Sequence, residues 1–168
     1  QRKILIIGAI ATVLKSASKA RREDVKTEIT VLERGKISSY WACGMPYYVG
    51  GEVHEIKELM ATGAGNLRNA EYFKKTKNID VYTEIEALKI DRVKKIVEAR
   101  DLKTGDVQTY PYDKLVIATG ASPVRPSLEG IDFKNIFPLW HPDDAAAIRS
   151  GIEVGKFKNA VIIGAGLI

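Results

Sequence analysis

The chain has 168 residues, 45% of them hydrophobic and 28% charged, with 26 basic against 21 acidic side chains and a net charge of +5. That composition fits a globular protein of one or two domains, and the small positive excess suits anionic small ligands; with no basic cluster interleaved with aromatics, it does not indicate nucleic acid. No apolar run approaches the length of a membrane span. The single cysteine, Cys43, can make no internal disulfide, which predicts a reducing, cytoplasmic setting.

Arg2 and Lys3 precede an apolar stretch that ends near Ser16, Ala17 and Ser18, a pattern shared with secretory signals. Its internal order reads better as a strand turning into a helix. Ile4, Leu5, Ile6 and Ile7 form an unbroken apolar run ending at Gly8, as expected of a parallel strand covered on both faces. From there Ile10, Val13, Leu14 and Ala17 fall at helical spacing, with Lys15, Lys19 and Arg22 on the opposite side. A second strand over residues 28–32 ends at Glu33. Strand, tight turn, helix, strand and acid make the opening of a dinucleotide-binding unit.

Residues 39–51 hold Cys43 among glycines, Pro46 and the aromatics Tyr40, Trp41, Tyr47 and Tyr48, which read as packing groups. A helix is predicted to start in residues 44–49, with Pro46 in its first turn. A polar stretch at residues 61–66 leads to a short helix over 69–77. Strands at 80–82, 85–90, 95–100 and 107–112 are expected to form a small antiparallel meander, with Lys103, Thr104, Gly105 and Asp106 as a turn. Residues 115–120 read as another buried parallel strand running into Gly120. Prolines between 122 and 142 mark a linker, and Asp143 and Asp144 open a helix reaching about Arg149, with an acid as its cap. Residues 160–163 are again an apolar strand, entering Gly164-Ala165-Gly166. The chain therefore reads as the front of a longer polypeptide: a first nucleotide-binding domain over 1–122, a linker over 123–142 and the start of a second such domain over 143–168.

The first turn, Gly8-Ala9-Ile10-Ala11-Thr12-Val13, keeps only one of the three fingerprint glycines. Ile10 and Val13 occupy the slots reserved for backbone approach to a pyrophosphate and for close helix–strand packing, so they are expected to crowd the phosphates and push the helix off the strand, which leaves a degenerate, cofactor-free binding domain as an alternative reading. Glu33 supports nucleotide binding, since its carboxylate can accept both ribose hydroxyls; a solvated acid at a strand end is the other reading. Cys43 is either a small buried hydrophobe or a redox thiol, the latter requiring exposure. His54 and His141 have no ligand-spaced neighbours, so no metal site is indicated.

The segments at residues 3–8, 29–34, 39–51, 112–123 and 161–168, above all Ser39 followed by Cys43-Gly44-Met45-Pro46-Tyr47-Tyr48, resemble the flavin-dependent pyridine nucleotide–disulfide oxidoreductases. Within these the chain is most similar to the single-cysteine branch of coenzyme A disulfide reductases, with their NADH oxidase and persulfide reductase relatives. Ala42 departs from the asparagine common in that branch. The resemblance implies an α/β fold with a Rossmann-like unit that binds FAD through Gly8, Ala9, Ala11, Glu33, Arg34, Ala118, Thr119 and Gly120. It also implies an NAD(P)H site beginning at Gly164 and Gly166, coenzyme A phosphates held by Lys19, Arg22 and Ser39, and a homodimer. Cys43 would face the flavin and pair with a sulfur of the substrate, or cycle through sulfenic acid. Arg125 is left between a flavin contact and a surface residue.

Overall fold

A computed structural model describes residues 1–10 and 12–164. The elements run β1 (Lys3–Ile7), α1 (Thr12–Glu23), β2 (Glu28–Glu33), α2 (Met45–Gly50), α3 (Ala70–Lys77), β3 (Asp80–Thr83), β4 (Ile85–Asp91), β5 (Ile96–Asp101), β6 (Val107–Pro111), β7 (Lys114–Ile117) and α4 (Pro142–Glu153). Short 3-10 turns lie at Ala42–Gly44 and Ile56–Met60. Among the described residues no helix is long and apolar enough to cross a membrane. The chain divides into two compact units, one of Gln1–Trp41 with Lys57–Ala121, the other of Ala42–Ile56 with the residues from Ser122 onward.

In the first unit a parallel sheet of order β3-β2-β1-β7 is the middle layer. Successive side chains of a strand point to opposite faces, so a continuous apolar run serves two cores at once. Ile6, Ile29, Val31 and Val81 face Val13, Leu14 and Ala17 of α1 and Phe73 of α3. Leu5, Ile7 and Leu32 face Ile85, Val97 and Ala99 of the antiparallel sheet β4-β5-β6, which covers the other side. Arg21 fastens the two helices at one end, donating to the carbonyls of Val25 (2.8 Å) and Asn78 (2.7 Å). Asn69 caps α3 by accepting the N–H of Tyr72 (2.9 Å), and Asn78 ends it in the left-handed region.

Four expectations are corrected here. The segment expected to begin the meander joins the parallel sheet instead, as β3 beside β2. Ile79 and Val81 bury into the helix-side core, and Glu84, at φ +60°, separates β3 from the meander. β7 is an edge strand rather than a buried one: among the described residues only β1 pairs with it, and Ile117 is 61% exposed. Val13 does not push α1 away; it is 4% exposed, within the core that α1 shares with the sheet. The apolar run at residues 160–163 forms no strand, and Val161 is 90% exposed, because it has no strand to pair with among the described residues.

In the second unit α2 packs against α4. Gly151 leaves room for the Phe157 ring, which lies where a Cβ would meet it at 2.1 Å, and Phe137 meets the same ring edge-on at 5.7 Å. The cap of α4 is His141, whose Nδ1 accepts the N–H of Asp143 (3.2 Å). The expected acid acts from inside the first turn instead, where Asp144 accepts the N–H groups of His141 (2.8 Å) and Trp140 (3.0 Å).

Because Val13 is core, restoring the fingerprint glycine should harm the fold. Val13→Gly should lose about 3 kcal/mol of unfolding free energy, from lost apolar burial plus glycine's helix penalty. Urea titration checks this; an unchanged midpoint would mean that Val13 contributes no packing.

Candidate active site

The chain passes from β1 to β2 and β3 on one side and then returns to β7 on the other side of β1. A crevice at the carboxyl ends of strands where the order reverses is where open parallel sheets bind ligands. Gly8 sits at that point with φ +103°, and a Cβ on it would lie 2.2 Å from the carbonyl oxygen of Ala118. Only glycine allows the ends of β1 and β7 to approach so closely. Gly8 donates to the carbonyl of Leu32 (2.7 Å), which closes the β1–β2 end as well.

Glu33 is half-buried at the end of β2, with both carboxylate oxygens engaged. Oε2 accepts the N–H of Ala9 (2.7 Å) and Oε1 accepts that of Gly35 (2.7 Å). The Gly35 carbonyl in turn accepts the N–H of Glu84 (3.0 Å), whose carboxylate pairs with Lys103 at 2.8 Å. The Ala9 carbonyl accepts the N–H of Ser39 (2.9 Å). The turn after β1 and the loop after β2 are thus fixed to each other through backbone groups. A carboxylate held this way keeps a lone pair on each oxygen for a ligand hydroxyl.

The structure brings Gly8, Ala9, Glu33 and Ala118 together at this end of the sheet. Arg34, Thr119 and Gly120 are exposed, with Gly120 at φ +69°. Ile10 is half-buried, while Ala11 and Gly166 lie outside the described residues. Lys19 and Arg22 are on the outer face of α1, where Lys19 pairs with Glu23. Ser39, by contrast, is buried at φ +57°. Gly164, at φ +109°, follows the unpaired run at 160–163.

Cys43 belongs to the second unit, in the 3-10 turn Ala42–Gly44 that runs directly into α2, and its thiol is free and exposed. It is therefore not the buried hydrophobe that a lone cysteine can be. Of the surrounding aromatics, Tyr40 is buried, Trp41 and Tyr47 are about half exposed, and Tyr48 lies under the Arg149 guanidinium at 4.7 Å. Arg125 hydrogen-bonds to the Ile131 carbonyl and Asp132, which accounts for it as a surface residue.

Residues 2–168 match the family model of the pyridine nucleotide-disulphide oxidoreductases. The chain belongs to that family. Its members are oxidoreductases, and membership implies FAD and NAD(P)H as cofactors. The chain is 34% identical over 167 residues to a coenzyme A disulfide reductase of Staphylococcus haemolyticus, covering 99% of this chain and 36% of that protein. It is 31% identical over 166 residues to an NADH oxidase of Methanocaldococcus jannaschii, with 99% and 36% covered. Among solved structures, an NAD-dependent persulfide reductase from A. fulgidus superposes with a TM-score of 0.87 at 45% identity, over 91% of this chain and 28% of that one. The chain thus spans about a third of the length of the curated relatives it matches.

Sequence reasoning picked out Glu33 as a ligand acceptor and missed its grip on the Ala9 and Gly35 amides. Glu33→Gln places an NH2 group against one of those N–H donors. It should lower unfolding free energy by about 1–3 kcal/mol and speed amide exchange at Ala9 or Gly35, measured by urea titration and NMR. Unchanged exchange at both amides would show that the carboxylate does not hold them.

Proposed function

We propose that the full-length protein is an NAD(P)H-dependent, FAD-containing oxidoreductase that reduces a small-molecule disulfide through Cys43, coenzyme A disulfide or a related persulfide being the favoured substrate. The observation that carries this reading is the exposed, free thiol of Cys43 in a chain with no second cysteine. A reductase using an internal disulfide needs a second cysteine; none lies within residues 1–168, so in this reading the second sulfur comes from the substrate.

The residues at the carboxyl ends of β1, β2 and β7 fit an FAD site in part. Glu33 fits a ribose, having a free lone pair on each oxygen, and Gly8 and Ala9 form the tight turn, with Arg34, Ala118, Thr119 and Gly120 around the same strand ends. Ile10 is the residue that does not match a pyrophosphate approach. In this reading residues 1–122 form the FAD domain, 123–142 a linker and 143–168 the start of the NAD(P)H domain, entered at Gly164. Lys19 and Arg22, as exposed cations, suit coenzyme A phosphates, and Ser39 joins them by resemblance alone, as does the homodimer.

Bound FAD supplies a two-electron carrier between nicotinamide and sulfur. The Cys43 thiolate attacks one sulfur of the disulfide RSSR, forming Cys43–S–S–R and expelling RS⁻, which takes a proton. Two electrons originating in NAD(P)H cleave this mixed disulfide, restoring the Cys43 thiolate and releasing the second RSH after protonation. The sum is NAD(P)H + H⁺ + RSSR → NAD(P)⁺ + 2 RSH. The likeness to an NADH oxidase favours a second reading on the same thiol, in which a peroxide oxidises Cys43 to sulfenic acid and the same two electrons reduce it back.

Cys43→Ser in the full-length protein should still accept electrons from NADH into its flavin but lose at least a hundredfold in the rate at which a disulfide withdraws them (roughly, since the oxygen of serine is no substitute in thiol exchange). Stopped-flow absorbance separates the two half-reactions. A variant that reduces coenzyme A disulfide at the normal rate would refute the role of Cys43. A trapped sulfenic acid without a coenzyme A adduct, by mass spectrometry, would select the peroxide reading.

A further inference from the structure

Arg149 lies on α4, with its side chain only 17% exposed and its Nε, Nη1 and guanidinium plane engaged. Nη1 donates to the carbonyls of Tyr48 (2.8 Å) and Val53 (2.6 Å). Nε donates to Glu153, one turn along the same helix, at 2.8 Å, and the guanidinium plane stands over the Tyr48 ring at 4.7 Å. The two carbonyls belong to different parts of the cysteine-bearing segment. Tyr48 is near the end of α2, where helix carbonyls lack partners within the helix, and Val53 lies beyond the left-handed turn at Gly51 (φ +91°).

A helix of six residues does not hold its shape alone in water, so α2 depends on tertiary contacts. The 3-10 turn with Cys43 runs straight into α2 without an intervening loop, so the direction of the thiol follows the placement of that helix. Arg149 supplies the hydrogen bonds from α4 to this segment, and Glu153 fixes the fork that makes them. A lysine has one compact charge and no plane to lay on Tyr48, so it cannot reproduce the arrangement.

We propose that Arg149 is a positioning residue for Cys43: by clamping the Tyr48 and Val53 carbonyls from α4, it sets the orientation in which the thiol meets its disulfide. The proposal rests on the reading that Cys43 carries the sulfur chemistry. It gives a physical role to a side chain about a hundred residues from Cys43 in sequence.

The test uses Arg149→Met and Arg149→Lys in the full-length flavoprotein. Both should bind flavin and take electrons from NADH at the rate of the unaltered enzyme. Electron withdrawal by coenzyme A disulfide should slow about ten- to a hundredfold in Arg149→Met, as a fall in kcat with little change in KM, because a small misplacement of a reacting group has that effect. Arg149→Lys should recover part of the loss. Amide exchange in residues 42–53 should quicken in both variants, with residues 1–41 unaffected. Unaltered disulfide kinetics in Arg149→Met would overturn the proposal, as would equal losses in both half-reactions accompanied by loss of flavin. Should Arg149→Met fail to fold, a Lys variant as fast as the unaltered enzyme overturns it and an intermediate one supports it. Normal disulfide turnover by Cys43→Ser would refute the cysteine reading itself, whereas an inactive Cys43→Ser beside a fully active Arg149→Met refutes the clamp alone.

Discussion

A single carboxylate joins the ends of β1 and β2, on which the parallel-sheet unit depends. Glu33 accepts one N–H from the turn after β1 and another from the loop after β2, each at 2.7 Å. Charge-assisted bonds of this kind contribute about 1.5–3 kcal/mol each. Together they hold the turn and the loop in one geometry before any ligand arrives. Gly8 completes the arrangement on the other side, because no side chain fits between it and the Ala118 carbonyl. The crevice at the switch between β1 and β7 is therefore built largely from backbone groups and one acid.

Cys43 lies in a different physical regime. Cys43 sits in a unit with few long strands or helices, in a 3-10 turn followed by a six-residue helix. Short elements of this kind adapt readily and are cheaply displaced, so a reactive group placed on one has to be held by its neighbours. Here α4, capped at its start by His141 and Asp144, reaches that segment through Arg149, which donates to the Tyr48 and Val53 carbonyls.

What could be read from the residues alone was whatever is written in local pattern. The apolar runs of β1 and β2, Gly8 at the turn, Glu33 at the following strand end and the Asn69-capped helix are short-range signals, and each lies where expected. The antiparallel sheet was legible too, but not its first member: β3 and β4 are both short alternating strands, and what separates them is one positive φ at Glu84 and a pairing with β2 about fifty residues away in the chain, roughly beyond any window of periodicity. Val13 was misjudged because the fingerprint specifies glycine for a close approach, whereas α1 here packs with a valine in the interface. β7 and residues 160–163 have the same apolar pattern as β1, but burial is conferred by neighbours, and the described residues put strands on only one side of β7 and on neither side of the last run. Arg149 was invisible for another reason. Its partners are backbone carbonyls, which carry no residue identity to recognise.

The visible spectrum of the purified full-length protein, before and after anaerobic NADH, tests the central claim most directly. The account predicts a yellow protein whose flavin band bleaches on NADH addition and returns when coenzyme A disulfide is added. A colourless protein that releases no flavin on denaturation would contradict it, and would leave the β1–β7 crevice as a scaffold without the cofactor its family uses.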